Sequence, residues 1–222
     1  MDDMIYLRDV NYEDWGQMYW PKGDDGAFIA PLKDWQETID NIMENVDNHN
    51  VVVQAGGCCG MYPVFFSKLF NQVYTFEPDE LNYFCLEKNI SSYENIFAQK
   101  KALHDELTSC SMLQASPGGD EMNVGMHRIG KIGEGNTETT TIDSLELNEC
   151  DLIHLDAEGH EVPILYGAAD TISKYKPTVV LEDNPGVAEV VMNMFGYVKV
   201  QDFRMDKLYI HQTKIQNFFT IN

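Results

Sequence analysis

The hydrophobic pattern in the middle of the chain predicts a strand, a tight turn, a helix and a second strand. Residues 51–53 form a β-branched run without polar alternation, which is typical of a parallel strand covered on both faces. A glycine-rich turn follows this run. The apolar run 64–70 then suits a buried helix. Pro63 falls in the first turn of that helix, where a missing N–H costs nothing. The next apolar run, 73–76, ends at Glu77. This order is typical of half of a nucleotide-binding α/β sheet.

The rest of the chain continues this alternation of strands and helices. Its last two apolar segments contain no helical period and are typical of an antiparallel pair of strands. A dinucleotide-binding fold would instead close with another parallel strand. The predicted helices cover 33–46, 81–90, 162–172 and 185–195, the last with Asn184 as its N-cap and Pro185 in its first position. The predicted strands cover 96–100, 152–155, 177–184, 196–200 and 207–211.

Two segments are less regular. Residues 1–32 are rich in aromatic and acidic side chains without a clear period, and they are expected to form either a lid over the active site or a cover for the sheet edge. Residues 106–143 contain several glycine turns and an expected edge strand at 137–142, so they are interpreted as a loop-rich insertion over the sheet. The chain is expected to form one domain, with an N-terminal segment over 1–50 and a core over 51–222.

The net charge of the chain limits the kinds of partner that are expected. The 222 residues include 15 basic and 36 acidic side chains, which gives a net charge of −21. Such a surface repels phosphate backbones and anionic membranes, so neither a nucleic-acid nor a membrane partner is expected. No apolar run approaches the roughly 20 residues of a membrane span, and the N-terminus lacks a signal pattern. A cytoplasmic location is therefore expected, and the oligomeric state stays open.

The five cysteines contain no C-x-x-C pair. An odd number of cysteines without a signal peptide predicts reduced thiols. Cys58 and Cys59 lie in the glycine turn, where they are interpreted as small apolar filler.

The glycine turn itself predicts a nucleotide cofactor. Glycine lets the backbone approach a ligand closely, and the helix that follows offers unpaired N–H groups. A carboxylate at the end of the next strand, here Glu77, is placed to accept hydrogen bonds from ribose hydroxyls. A dinucleotide fingerprint that starts at Gly56 needs glycine at positions 58 and 61, and neither position has it. The spacing instead matches the S-adenosylmethionine-binding form, in which glycines stand two and six positions after the residue at 54. The candidate cofactor-binding residues are Gln54, Gly56, Gly57, Cys58, Gly60, Glu77, Pro78, Ala102, Leu103 and Asp156.

A second group of ionisable side chains follows the strand 152–155. Asp156, Glu158, His160 and Glu161 lie within six residues at the ligand-binding edge of the predicted sheet. Crowded carboxylates raise each other's pKa and imidazole titrates near neutrality, so the group is suited to general-base catalysis. Oxygen ligands of this kind could also hold a divalent cation, although no metal is assigned. For Glu161, the acid preference of a helix N-terminus is sufficient.

Two nearby histidines are interpreted without a catalytic role. His154 lies inside a predicted strand and is expected to be a structural histidine with satisfied hydrogen bonds. His104 is expected to be an exposed loop residue next to the adenine.

With these pieces in order, the chain resembles the FkbM-like S-adenosylmethionine-dependent methyltransferase family over about residues 51–184. The most specific match is DLIHLDAEGHEVPILYGA with PTVVLED behind it, and QAGGCCGMYP, VYTFEPDELNYFCLEKN, KALHDE and TTIDSL also match. Gln54 departs from the family's usual Asp, and His154 stands where lysine is common.

The resemblance implies a Rossmann-like class I methyltransferase with a seven-stranded, mostly parallel sheet that ends in an antiparallel hairpin and carries helices on both faces. It implies methyl transfer from S-adenosylmethionine to an oxygen, commonly a hydroxyl of a sugar or small metabolite. Gly56, Gly60 and Glu77 would hold the cofactor, and Asp156 and Glu158 would border the transferred methyl. Asp156, Glu158 and His160 are the candidate catalytic residues. The alternatives are a nicotinamide-dependent oxidoreductase and a non-catalytic adenosine-binding protein.

Overall fold

Strands and helices alternate along most of the chain, as the hydrophobic pattern predicts. The computed structural model describes residues 1–10, 15–24, 32–114, 123–182, 186–203 and 206–218. The strands are β1 Ile5–Asp9, β2 Gln17–Pro21, β3 Val51–Ala55, β4 Gln72–Phe76, β5 Ile96–Gln99, β6 Ala102–Leu103, β7 Ser109–Leu113, β8 Arg128–Ile132, β9 Thr137–Thr140, β10 Leu152–Leu155, β11 Thr178–Glu182, β12 Tyr197–Phe203 and β13 Asp206–His211. The helices are α1 Leu32–Met43, α2 Met61–Ser67, α3 Glu80–Asn89, α4 Glu161–Tyr166, α5 Ala169–Tyr175, α6 Val187–Met194 and α7 Gln212–Phe218.

The largest sheet has seven strands in the order β12-β13-β11-β10-β3-β4-β5. The five strands from β11 to β5 pair in parallel. Strand β13 is antiparallel to both β11 and β12. The predicted α/β fold is therefore confirmed. Strands β3 and β10 are neighbours, so the turn after β3 and the loop after β10 meet at one edge of the sheet.

Apolar side chains cover the sheet on both faces. Val52 and Val180 belong to one buried cluster, which also contains side chains of α1, α2 and α3. Val53 and Val179 point the other way, into a second cluster with side chains of α4, α5 and α6. Successive strand residues point to opposite faces, so the unbroken valine run supplies both clusters. Helices therefore lie on both faces of the sheet.

Two predicted helix boundaries are wrong. The predicted helix 162–172 is two helices, because the chain turns at Gly167, where a Cβ atom would lie 2.0 Å from the His104 carbonyl oxygen. Helix α6 begins only at Val187, after Gly186 at a φ of 73°. The predicted N-cap and proline at residues 184 and 185 lie outside the described residues.

The insertion 106–143 is more ordered than predicted. Its strands β7, β8 and β9 join β6 in a four-stranded sheet with the order β6-β9-β7-β8. Strand β9 is paired on both sides, so the prediction of an edge strand at 137–142 is wrong. Gly133 and Gly135 lie in the connection between β8 and β9, whereas the predicted turn at 116–119 lies outside the described residues. The partner of β9 on one side comes from outside the insertion.

The N-terminal segment begins with an antiparallel hairpin, β1–β2. The backbone N–H and C=O of Tyr19 bond the side-chain amide of Asn89 on α3. Trp20 is buried in the same cluster as α2 and α3. The hairpin is thereby fixed against helix α3. Among the described residues, no helix has the length and apolar character needed to cross a membrane.

Candidate cofactor and active site

One cavity of about 590 Å³ lies at the carboxyl ends of the parallel strands. This is the edge where open α/β sheets bind ligands, and the volume suits a small-molecule site. Its walls come from the glycine turn, the acidic loop, the loop after β10 and part of the insertion. The lining includes the predicted site residues Gly56, Gly57, Cys58, Glu77, Pro78, Ala102, Leu103, Asp156 and Glu158.

The glycine turn is shaped by close backbone approach. A Cβ atom at Gly56 would lie 1.8 Å from the carbonyl oxygen of Asp156, and the φ of Gly56 is +78°. Gly57 is equally confined, because its Cβ would lie 2.8 Å from the Thr75 hydroxyl. Both backbone N–H groups donate to the carbonyl oxygen of Phe76. Only glycine fits where the two loops touch, and the turn is thereby fixed against β4 and the loop after β10.

Gln54 and Gly60 do not line the cavity, although both were predicted to bind the cofactor. The Gln54 amide nitrogen donates to the carbonyl oxygens of Ala55 and Gly56, and its oxygen accepts from the Thr75 hydroxyl. Gly60 precedes α2 with a φ of 102° and donates its N–H to Gly57. Both residues therefore shape the turn from outside the cavity.

Glu77 is held at the end of β4 by two backbone hydrogen bonds. Its carboxylate oxygens accept from the N–H groups of Cys58 and Asp79 at 2.7 and 2.8 Å. Burial raises the pKa of Glu77 to about 7 despite these bonds. A carboxylate has about four acceptor positions, so two remain for a ligand.

All five cysteines are free, as predicted.

His104 is buried rather than exposed, so the prediction of an exposed loop histidine is wrong. Only 8% of the residue is accessible. Its Nδ1 atom accepts from the backbone N–H groups of Asp105 and Glu106. The ring packs against His160 with 4.9 Å between centroids. This histidine orders the loop after β6 and does not line the cavity.

The loop after β10 is folded around the side chain of Glu161. One oxygen of this carboxylate accepts from the N–H groups of Ala157 and Gly159 at 3.0 and 3.3 Å. Glu158 and Gly159 adopt positive φ values of 52° and 91°. These bonds direct Asp156 and Glu158 to the cavity, while Glu161 begins helix α4.

Four acidic residues meet in this part of the cavity: Asp156, Glu158, Glu182 and Asp206. Burial and the nearby carboxyls of Asp206 and Glu182 raise the pKa of Asp156 well above its ordinary value. Burial, Glu182 and Glu161 raise the pKa of Glu158 to about 7, against a lowering by Arg128. Burial and Glu182 raise the pKa of Asp206 to about 6. The group therefore contains carboxyls that exchange protons near neutral pH.

His160 is separated from this group. It is not among the residues that line the cavity. Burial and the neighbouring His104 lower the pKa of its ring to about 4. The structure therefore brings together only Asp156 and Glu158 of the three candidate catalytic residues.

His154 is structural, but its hydrogen bonds are not satisfied. Both ring nitrogens are buried without a partner among the described residues. The ring packs against Tyr62 and Phe66 at centroid distances of 4.3 and 5.3 Å. Burial lowers the pKa of this histidine to about 3, so the ring is neutral.

Two parts of the cavity were missed from the sequence. One is the segment 123–129, here called the roof segment, which comes from the insertion and lines the cavity. The other is the stacked pair Trp35 and Tyr62, with ring centroids 5.0 Å apart and planes at 13°. The helical pattern identified Trp35 only as a packing residue. Asp206 also lacked a signal, because its position depends on how the terminal hairpin pairs with β11.

Comparison with known proteins shows the family to which the chain belongs. Residues 62–215 match the model of the methyltransferase FkbM domain. The chain therefore belongs to the FkbM methyltransferase family, and the resemblance seen in the sequence is confirmed. No curated protein sequence matches the chain.

Three solved structures with similar folds are each named as a methyltransferase or a methylase. The methyltransferase FkbM from Methylobacillus flagellatus KT is 18% identical, with a TM-score of 0.52 over 73% of this chain and 44% of that one. This chain thus spans less than half of that protein. An rRNA methylase from Streptococcus thermophilus is 12% identical, with a TM-score of 0.46 over 80% and 96% of the two chains. A putative methyltransferase from Streptococcus mutans in complex with S-adenosylhomocysteine is 11% identical, with a TM-score of 0.49 over 78% and 94%.

Proposed function

We propose that the protein transfers a methyl group from S-adenosylmethionine to a hydroxyl of a sugar or another small metabolite. The observation that carries the proposal is a cavity whose wall contains both a held ribose-type carboxylate, Glu77, and the carboxyls of Asp156 and Glu158. Family membership supports the methyl transfer and the cofactor.

The residues of the cavity fit the cofactor. Gly56 and Gly57 bring the backbone of the turn to the cavity wall, and Glu77 lies 20 positions after Gly57 with free acceptor positions for ribose hydroxyls. Pro78, Ala102 and Leu103 supply apolar wall beside them. When bound, the cofactor supplies a methyl group that its sulfonium already activates. The chain has to position an acceptor oxygen and remove its proton.

Glu158 is the best candidate for the base. A base works best when its pKa lies near the operating pH, and burial places that of Glu158 at about 7. Burial and the carboxyls of Asp206 and Glu182 also raise the pKa of Asp156 well above its usual value. Asp156 therefore contacts the acceptor beside Glu158, and Glu158 receives the acceptor's proton.

The part of the cavity that contains the four carboxyls suits a small polar acceptor. Trp35 and Tyr62 offer aromatic surface, and the four carboxyls offer hydrogen-bond acceptors for hydroxyl groups. The net charge of −21 opposes a phosphate-rich acceptor, which argues against nucleic acid. Both features favour a sugar or small metabolite.

The test is formation of S-adenosylhomocysteine from S-adenosylmethionine with a panel of hydroxylated sugars and metabolites. Glu158→Gln should lower kcat by about 100-fold to 10,000-fold, the usual contribution of a general base. Turnover of Glu158→Gln at the wild-type rate would remove the base assignment. If no acceptor yields turnover while the cofactor binds, the non-catalytic adenosine-binding alternative would be favoured instead.

A metal-assisted version has one specific observation behind it. Asp156, Glu158 and Glu182 each offer one oxygen, and these atoms lie within 4.8 Å of one another. Divalent cations prefer such oxygen ligands. Turnover that is lost with a chelator and restored by Mg²⁺ would support this version, and turnover unaffected by a chelator would remove it.

A further inference from the structure

Asn82 lines the cavity on the first turn of α3, five residues after Glu77. Only 1% of the residue is accessible. Its backbone N–H donates to the Asp79 carboxylate, which caps the helix. The residue is therefore fixed at the N-terminal end of α3.

The two ends of the Asn82 amide have different surroundings. The nitrogen donates to the carbonyl oxygen of Val124 in the roof segment at 3.0 Å. The oxygen is buried and has no hydrogen-bond partner among the described residues. A carbonyl oxygen accepts and cannot donate, so the contact with Val124 fixes which end of the amide is the nitrogen.

A buried acceptor without a partner is unfavourable in a folded protein. Here the unpaired oxygen belongs to a side chain in the cavity wall, five residues after Glu77. A bound molecule with a hydrogen-bond donor at this point would satisfy it. The adenosine part of the proposed cofactor has such donors in its two ribose hydroxyls and its exocyclic amine.

We propose that the Asn82 side-chain oxygen accepts a hydrogen bond from the adenosine part of the cofactor, while its nitrogen fastens the roof segment through Val124. This inference rests on the proposed binding of S-adenosylmethionine in the cavity. Asn82 thereby couples cofactor recognition to the placement of the cavity's roof, and it is a cofactor-binding residue beyond those found in the sequence.

The experiment is calorimetric titration with S-adenosylhomocysteine and with its 2′-deoxy, 3′-deoxy and inosine counterparts, each of which lacks one adenosine donor. Wild type is compared with Asn82→Leu, which removes the acceptor, and Asn82→Asp, which keeps an oxygen and removes the donor to Val124. Asp24→Ala is the matched control for the roof, since it removes the Asp24 oxygen that holds the Val124 N–H at 3.0 Å. Circular dichroism establishes that each variant is folded.

Asn82→Leu should weaken S-adenosylhomocysteine binding by about tenfold, the usual effect of one lost hydrogen bond to a buried group. The same substitution should leave the affinity for one analogue unchanged, and that analogue identifies the donor. Asn82→Asp and Asp24→Ala should keep the wild-type discrimination between the ligands.

An equal penalty for all four ligands in Asn82→Leu would overturn the inference, because Asn82 would then act only through the roof segment. That result would leave the proposed function intact, since wild type still binds. A wild-type protein that binds none of the four ligands would overturn both.

Discussion

At the scale of single residues, the contact between Gly56 and Asp156 joins the two halves of the site. The sequence identified both residues, because glycine spacing and an acid after a strand are local signals. It did not indicate that their backbones touch, because that depends on the pairing of β3 with β10. The same dependence on strand pairing explains why Gln54 was assigned to the cofactor. Its side chain instead donates hydrogen bonds to the backbone of the turn.

Gly56→Ala should destabilise the fold strongly and abolish cofactor binding. Its Cβ would lie 1.8 Å from the carbonyl oxygen of Asp156, so the backbone of one loop must move. A cost of about 4 kcal/mol or more in the free energy of unfolding is expected, at the upper end for single substitutions. Chemical denaturation measures it.

Gly133→Ala is the matched control for this substitution. Gly133 has nearly the same φ of +76°, but nothing lies within 4 Å of its Cβ position. It should cost only about 1 to 2 kcal/mol, for the left-handed conformation alone. Equal costs for the two variants would contradict the role given to the close approach.

Glu158 allows a pH prediction for catalysis. The proposed base acts when deprotonated, and its pKa is about 7, so kcat/KM should rise with pH through about 7. Arg128 lowers this pKa, so Arg128→Ala should move the rise to higher pH. The exposed Lys131 on the same strand is the control, and Lys131→Ala should leave the profile in place. A profile that is flat between pH 5 and 9 would contradict the assignment of Glu158.

At the scale of elements, the roof segment is the main feature that the sequence did not reveal. Its residues have little hydrophobic period, and its contacts come from distant parts of the chain. Asp24 holds the Val124 N–H, and the buried pair His127 and Asp79 has 3.0 Å between Nδ1 and Oδ2.

The strands and helices of the core were predicted better, because their apolar periods are local. The break at Gly167 was missed because the approach of His104 is not local.

His127→Ala should loosen the roof segment. Burial favours the neutral form of Asp79, but His127 and the helix N–H groups outweigh it and lower its pKa. Loss of His127 should therefore raise the pKa of Asp79 and free one end of the roof. Amide hydrogens of residues 124–129 should exchange faster than in wild type, by hydrogen-exchange mass spectrometry. His49→Ala, at an exposed histidine, should leave that exchange unchanged, and unchanged exchange in His127→Ala would contradict the role of the ion pair.

At the scale of the whole molecule, acidic groups gather in the cavity of a chain that already carries a net charge of −21. Composition indicated the surface charge, but not that Glu182 and Asp206 meet Asp156 and Glu158. That meeting requires the antiparallel pairing of β13 with β11, which places Asp206 opposite Glu182. The cluster therefore arises from the sheet topology and has no local sequence signal.

Asp206 makes the stability of the ligand-free protein depend on pH. Its folded pKa of about 6 lies above the ordinary value of 3.8. A carboxyl raised in this way favours the folded state most below about pH 4, and the contribution is lost as pH rises through about 6. Asp206→Asn should therefore gain stability relative to wild type between pH 4 and 7, by about 1 to 3 kcal/mol.

Urea denaturation at each pH measures this difference. Asp170→Asn, at an exposed position, is the control and should differ from wild type by the same amount at every pH. A difference between Asp206→Asn and wild type that does not change with pH would contradict the burial of the Asp206 carboxyl among other acids.

The central claim is that the cavity binds S-adenosylmethionine with Glu77 on the ribose, and calorimetric titration tests it most directly. Wild type should bind S-adenosylmethionine and S-adenosylhomocysteine but not NAD. Glu77→Ala should weaken binding by about tenfold to 100-fold, the usual effect of losing hydrogen bonds to a charged group. Glu80 is an exposed acid at the start of α3. Glu80→Ala should therefore bind as wild type does. Binding of NAD alone, or equal affinities in wild type and Glu77→Ala, would contradict the account.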